Sequence, residues 1–269
     1  MTHQQRTGKL ALAKRLGIPV STLYYVSRKA ERDWRLKCRI EEIMREHPAY
    51  GSRNLACELG YNRKRVQRVM RLFGLKPYRR RGKKWRKPRG IDHLYENLLL
   101  VAQPLYPHHV WVADFTELPF HGHKVYVATV LDLYTRQVVG VSVAKRKGAP
   151  LTIQALWNAL FAHPRPEVFH SDNGREYEAA SFVRILKQCG IIISRSRPGC
   201  PWENGYQESF YGKFKLDLGD PNRFAALGEL VAEVYRTMWV YNHTRIHSVL
   251  RMPPVVFAQQ HKIAIPMAV

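Results

Sequence analysis

The chain is poor in acid and has no long apolar run. It carries 21 Asp+Glu against 44 Lys+Arg, a formal net charge of +23. An imbalance of that size argues against basic or neutral partners and favours a polyanion, of which nucleic acid is the commonest. No stretch approaches the roughly 18 apolar residues of a membrane span, and MTHQQRTGKL at the N-terminus lacks the apolar core of a secretion signal. A cytoplasmic protein with access to bacterial DNA, and no membrane partner, is expected. The four cysteines, Cys38, Cys57, Cys189 and Cys200, form no C-x-x-C pair. That spacing disfavours zinc, and reduced, buried thiols are expected. Heptads are absent too, so no coiled coil is expected.

The positive charge is unevenly placed. Residues 1–105 hold 26 Lys+Arg against 8 Asp+Glu, whereas residues 106–269 hold 18 against 13. An electrostatic handle therefore precedes an ordinary folded domain. With 45% hydrophobic and 24% charged residues, the chain reads as globular. Three regions follow: a helical DNA-binding region at 1–75, a basic linker at 76–104, and a catalytic core with a helical tail at 105–269.

Within the first region, residues 8–30 predict two short helices around Leu16-Gly17-Ile18, with Ser21 capping the second. A second helical cluster is expected from about Leu36 to Gly74. Asn62 is placed to cap its last helix, where Val66, Val69, Met70 and Phe73 recur at i, i+3, i+4 and i+7. Lys64, Arg68 and Arg71 line another face, with Arg63 and Arg65 beside them, a pattern suited to a phosphate backbone or a major groove. The segment KPYRRRGKKWRKPRG, residues 76–90, carries nine Lys/Arg and no acid. Arg79, Arg80, Arg81, Lys83 and Lys84 are candidate backbone contacts that add affinity without reading sequence.

From Val110 onward the period changes to two. VWVADFTEL, KVYVATVLDL and QVVGVSVA predict a three-stranded meander. Helices are then expected at 150–163, 178–190, 204–219 and 225–247, with short strands at EVFHSD and IIISRS. The last helix should stop before Pro253-Pro254. The result is an α/β fold with a mixed sheet and helices on both faces.

Three acids sit where an acid requires a reason. Asp114 interrupts an apolar strand on the face of Val110 and Val112, where an unpaired carboxylate is costly to bury. Asp172 ends a short strand before the turn Asn173-Gly174. Glu208 lies one turn into a helix. Carboxylates on neighbouring strand ends and a nearby helix can converge, and hard oxygen donors select Mg²⁺ or Mn²⁺. Two such ions balance the three acids and one phosphate in charge, the arrangement that serves displacement at a phosphodiester. Asp132, at the end of its strand, is better explained as a hairpin cap. Glu203 cannot share a helix face with Glu208. Asn204, Tyr211 and Lys215 are better aligned with it, which makes Lys215 a candidate for gripping DNA.

The blocks VWVADFTEL, HSDNGREY and PGCPWENGYQESFYGKFK resemble the three catalytic blocks of the Asp-Asp-Glu recombinases, which include retroviral integrases and bacterial transposases. The match is closest to insertion-sequence transposases of the IS-three family, specifically their second reading frame product. YGSRNLACELGYNRKRVQRVMRLFGL resembles the helix-turn-helix ahead of that family's core, and YNHTRIHSVLRMPPVVFA its C-terminal signature. The resemblance implies an RNase H-like five-stranded core, with Asp114, Asp172 and Glu208 as catalytic metal ligands for two Mg²⁺ or Mn²⁺ ions. It also implies hydrolysis that frees a 3′-hydroxyl at the element's end, followed by attack of that hydroxyl on another DNA strand. Asn204 and Lys215 would orient the transferred end. Partners would be the element ends, target DNA, further copies of the chain, and a first-frame product supplied separately or by fusion. Ile246 and Arg251 depart from the family's tail, where Pro and Gly are frequent. A noncatalytic regulator and a plain metal-dependent nuclease are the alternative readings.

Overall fold

The computed structural model describes residues 11–17, 19–23, 27–78, 95–100, 103–197 and 205–261. Its centre is a five-stranded sheet in the order β3-β2-β1-β4-β5. Strands β1 (Val110–Phe120), β2 (His123–Asp132) and β3 (Val138–Ala144) form the expected antiparallel meander. β4 (Val168–Ser171) and β5 (Ile192–Arg195) then add in parallel beyond β1. This mixed order is that of an RNase H-like sheet.

Period-two alternation divides the core between the two faces. Val110, Val112 and Leu118 point to one side, where they meet Phe210, Phe214 and Leu218 of α7 (Gly205–Leu218) and Leu230, Val234 and Met238 of α8 (Leu227–His243). Trp111 and Ala113 point to the other, against Ala155, Leu156 and Ala159 of α4 (Ala149–Ala162) and Tyr177 and Phe182. The last two belong to the short α5 (Arg175–Glu178) and to α6 (Ala180–Gln188). Gly140 of β3 has a structural reason: a Cβ there would lie 2.3 Å from the Ala155 carbonyl oxygen and 2.8 Å from the Ala159 Cβ. Its missing side chain lets α4 pack directly on the sheet.

A separate core joins α1 (Lys29–Glu46), α2 (Ser52–Leu59) and α3 (Arg63–Leu72) around Leu36, Ile40, Tyr50, Leu55, Val66 and Val69. Gly60 takes φ +67° to end α2, and Asn62 caps α3 by accepting from the Lys64 amide at 2.8 Å. The helical unit is bolted to the tail of the core. Asn54 donates to the Ile246 carbonyl at 3.0 Å, and the Ile246 amide donates to the Tyr50 hydroxyl at 2.7 Å.

Several expectations need correction. The second N-terminal helix is Val20–Leu23, so Ser21 lies inside its first turn rather than capping it. The helical cluster begins at Lys29, not near Leu36. Residues 95–100, expected as the end of the linker, belong to the edge of the core: the Arg195 amide donates to the Glu96 carbonyl at 3.2 Å and the Leu98 amide to Ser194 Oγ at 2.9 Å. Pro254 starts a further helix, α9 (Pro254–Gln260), because its missing N–H costs nothing at a first helical position. Cys38 and Cys57 are exposed rather than buried, Cys57 donating to the Arg251 carbonyl at the joint between the two units.

Candidate active site

Asp114 and Asp172 meet because two parallel strands share a register. β1 and β4 pair Val112 with His170 as the last pair of their ladder, and two residues further along each chain lie Asp114 and Asp172, close enough for the second to bear on the first. Asp114 lies in mid-β1, still paired with Thr129 of β2, but past the end of the β1–β4 ladder, and Asp172 lies just beyond the end of β4. Asp114 Oδ1 accepts from the Phe115 amide at 2.8 Å. Asp172 Oδ1 accepts from the Gly174 amide at 3.0 Å, an Asx turn that holds the carboxylate at the edge. Arg195 steadies the same corner, donating to the Asp172 carbonyl at 3.3 Å and the Tyr177 carbonyl at 2.6 Å.

α7 brings the third acid. Its buried face carries Gln207, Phe210, Tyr211, Phe214 and Leu218, and the first of these is polar for a reason. Gln207 Nε2 donates to the Val112 carbonyl at 2.8 Å, while its Oε1 accepts from Thr129 Oγ1 at 3.2 Å. One turn later the Tyr211 hydroxyl donates to the Asp114 carbonyl at 2.6 Å and lies 2.8 Å from Thr129 Oγ1. These two side chains pin α7 across β1 at the level of Asp114. Glu208, next to Gln207, is exposed.

Negative charge at this corner is in surplus. Burial first, then Asp172 and Glu208, push the Asp114 carboxyl up to about 7, against the opposing pull of the Phe115 amide and Lys215. Burial also raises Asp172, and Glu176 and Glu178 add to the effect. Among the described residues, no three His, Cys, Asp or Glu side chains stand close enough to hold one ion. Glu208 thus bears on Asp114 through space without joining the two aspartates in a closed cluster. The donor set still suits a hard divalent cation: every candidate ligand is a carboxylate oxygen, and at Asp114 the Phe115 amide and Lys215 do not offset the surplus charge.

The structure brings Asp114, Asp172, Glu208 and Lys215 to one corner. Asp132 is a turn residue, as expected, accepting from the Tyr134 amide at 3.0 Å and Thr135 Oγ1 at 2.8 Å. Arg63, Lys64 and Arg71 are exposed on α3, and Arg65 lies over the Tyr61 ring at 4.7 Å. Arg68 is committed elsewhere, to a bidentate pair with the buried Asp33 at 2.7 and 2.5 Å. Asn204, Glu203, Cys200, Arg79, Arg80, Arg81, Lys83 and Lys84 lie outside the described residues. Gln207 was missed in the sequence, although its spacing to Phe210, Tyr211, Phe214 and Leu218 puts it on the apolar face of its helix.

Two models described as "Integrase core domain" match residues 105–201 and 189–254. The putative transposase InsK for insertion sequence element IS150 of Escherichia coli is 32% identical, over 90% of each chain. The chain belongs to the insertion-sequence transposases of the IS-three family. The transposase for IS904 of Lactococcus lactis is 30% identical, over 70% of this chain and 76% of its own. InsF, for IS3A of Escherichia coli, is 32% identical over 76% and 74%. The fold is shared with a chain of the simian T-cell lymphotropic virus intasome at 18% identity and a TM-score of 0.51, over 82% of this transposase and 74% of that chain. This transposase is thus a DNA transposase, a polynucleotidyl transferase with an integrase-like core.

Proposed function

We propose that the transposase cuts DNA at the ends of its element and joins them to target DNA through Asp114, Asp172 and Glu208, which hold two Mg²⁺ or Mn²⁺ ions. The observation that carries this reading is that the register of β1 and β4 brings Asp172, just past the end of β4, near Asp114, whose carboxyl is raised to about 7. Bound there, the ions would activate the attacking oxygen and stabilise the leaving one. The chain's own residues supply position. Gln207 and Tyr211 hold α7 against β1, on the helix turn that carries Glu208, whose charge bears on Asp114. Lys215, two turns along α7 from Glu208, offers its ammonium to the phosphate backbone next to the acids. Such transfer relies on placement and electrostatics rather than on a covalent enzyme intermediate.

DNA affinity comes chiefly from Arg63, Lys64, Arg65 and Arg71 on α3 and from the basic run that includes Arg79, Arg80, Arg81, Lys83 and Lys84, with Asn204 and Lys215 orienting the cut end. Arg68 contributes by fixing α3 to α1. The enzyme acts as an oligomer on DNA, alone or with a first-frame product. The test uses duplexes carrying the element's own ends, with Mg²⁺. Asp114→Asn, Asp172→Asn and Glu208→Gln should each abolish cleavage and joining while DNA binding persists. Near-parental joining by any one of them removes that residue from the site.

A further inference from the structure

A cavity of about 210 Å³ lies between α7, the β2–β3 turn, α8 and residues 247–249. That is smaller than the roughly 300 Å³ at which pockets for drug-sized ligands begin, and it suits a small group. α7 lines it with Tyr206, Ser209, Phe210 and Lys213, which fall at i, i+3, i+4 and i+7 on one face. At ~100° per residue, Glu208 and Lys215 lie on the opposite face of the helix. The helix therefore stands between this cavity and the carboxylate site.

Among the described residues the lining holds two cations, Arg136 and Lys213, and no carboxylate. Arg136 enters from the β2–β3 turn at φ +62°, with its guanidinium 4.4 Å over the Tyr206 ring. Its Nε and one Nη are buried without a hydrogen-bond partner among the described residues. Among the described residues the carboxylate that bears on Lys213 is Asp217, whose Oδ2 pairs with Arg245 at 3.0 Å while its Oδ1 is buried without a hydrogen-bond partner, one anion against three cations. Burial, then Arg245 and Arg136, lower the Lys213 ammonium below the usual lysine range despite the pull of Asp217. Burial, Lys213, Arg136 and Arg245 together take His247 down to about 3, so it adds no charge. Buried cations without matching anions are costly, and such an arrangement fits a site built for an anion.

We propose that this cavity binds a phosphate group of DNA, held by Arg136 and Lys213, with the Ser209 hydroxyl on the same wall. The inference rests on the reading that the chain works on DNA, and it adds a contact that reading did not contain. A phosphate held here is not the one being cut, because α7 separates it from the acids. It anchors the strand away from the reacting bond.

The test measures log affinity against log salt for the full chain on one duplex. Each neutralised phosphate contributes about 0.9 to that slope. Arg136→Gln and Lys213→Gln should each lower the slope by about that amount, and the double variant should lose no more than either, since both side chains hold one phosphate. Repeating the series with 5′-phosphate and 5′-hydroxyl duplexes separates a terminal phosphate from a backbone diester. Should either variant fail to fold, acetylation of lysines in the parent chain serves instead: DNA should protect Lys213. Folded variants with the parental slope, or an unprotected Lys213 when Lys64 is protected, overturn the proposal. A parent chain without salt-dependent DNA binding would sink the DNA reading itself.

Discussion

The Tyr211 hydroxyl donates to the backbone carbonyl of Asp114 at 2.6 Å, so the helix that carries one acid is fastened to the strand that carries another. Removing that hydroxyl takes a donor from the Asp114 carbonyl and leaves Thr129 Oγ1 with Gln207 as its partner. Tyr211→Phe should cost about 1–3 kcal/mol of stability. It should also lower the rate of joining more than DNA affinity, because Glu208 loses its support. Thermal melts and single-turnover joining read the two effects separately. A variant that melts lower yet joins at the parental rate would make the bond purely structural.

The raised Asp114 carboxyl sets a pH dependence. Its folded pKa, about 7, lies above the unfolded value of 3.8. Between those values the folded state holds the proton more tightly, so stability falls as pH rises from about 4 to about 7 and stays reduced above. The full shift corresponds to about 4 kcal/mol, and a half-buried group keeps less, on the order of 2–3 kcal/mol. Asp114→Asn should therefore melt higher than the parent at pH 8 in chelator, with the gap narrowing toward pH 4. An unchanged gap across that range would refute the assignment.

Arg245 and Asp217 form a buried pair, with side chains only 4% and 9% exposed. Burial outweighs the partner and takes the Asp217 carboxyl up to about 6. Arg245→Met should destabilise by about 3–5 kcal/mol because it strands that carboxylate, whereas Arg245→Met with Asp217→Leu should recover most of the loss. Denaturant midpoints of the three chains decide the matter. A double variant no more stable than the single one would mean that Arg245 acts through its stacking on Tyr50, whose ring centre lies 5.2 Å away.

Residues on one helix should behave differently on α3. Arg63→Ala and Lys64→Ala should each reduce the salt slope of DNA binding by about 0.9. Arg68→Ala should instead lower the melting temperature, since Asp33 is buried and its carboxyl is held below the usual range chiefly by Arg68. A lowered slope with unchanged melting for Arg68→Ala would return it to the DNA surface.

Local period made much of this legible. Alternation exposed β1, β2 and β3, and the misplaced acid on β1 pointed to Asp114. The i, i+3, i+4 pattern and the Asn62 cap located α3. What stayed hidden depends on contacts between distant residues. Asp33 and Arg68 carry no sign of each other, and neither do Asn54 and Ile246, which lie 192 residues apart. Spacing places Gln207 on the apolar face of its helix, but its partners there, Val112 and Thr129, come from distant strands. Pro254 read as a stop, although proline opens a helix as readily as it ends one.

The two hydrogen bonds that Ile246 makes, its amide donating to Tyr50 and its carbonyl accepting from Asn54, would make the transposase a ruler if α3 sits on DNA. They fasten α1, α2 and α3 to the tail of the core, so the distance from the basic face of α3 to Asp114 becomes a fixed length that can be laid along a duplex. Cut position would then be counted in nucleotides from the place where α3 sits. Loosening the joint with Tyr50→Phe and Asn54→Ala should scatter the cut over several neighbouring phosphates, with the total amount of cutting changed less than its spread. Sequencing of the cleaved ends measures that spread directly. A single unshifted cut in the double variant would mean that the DNA, rather than the protein, sets the distance.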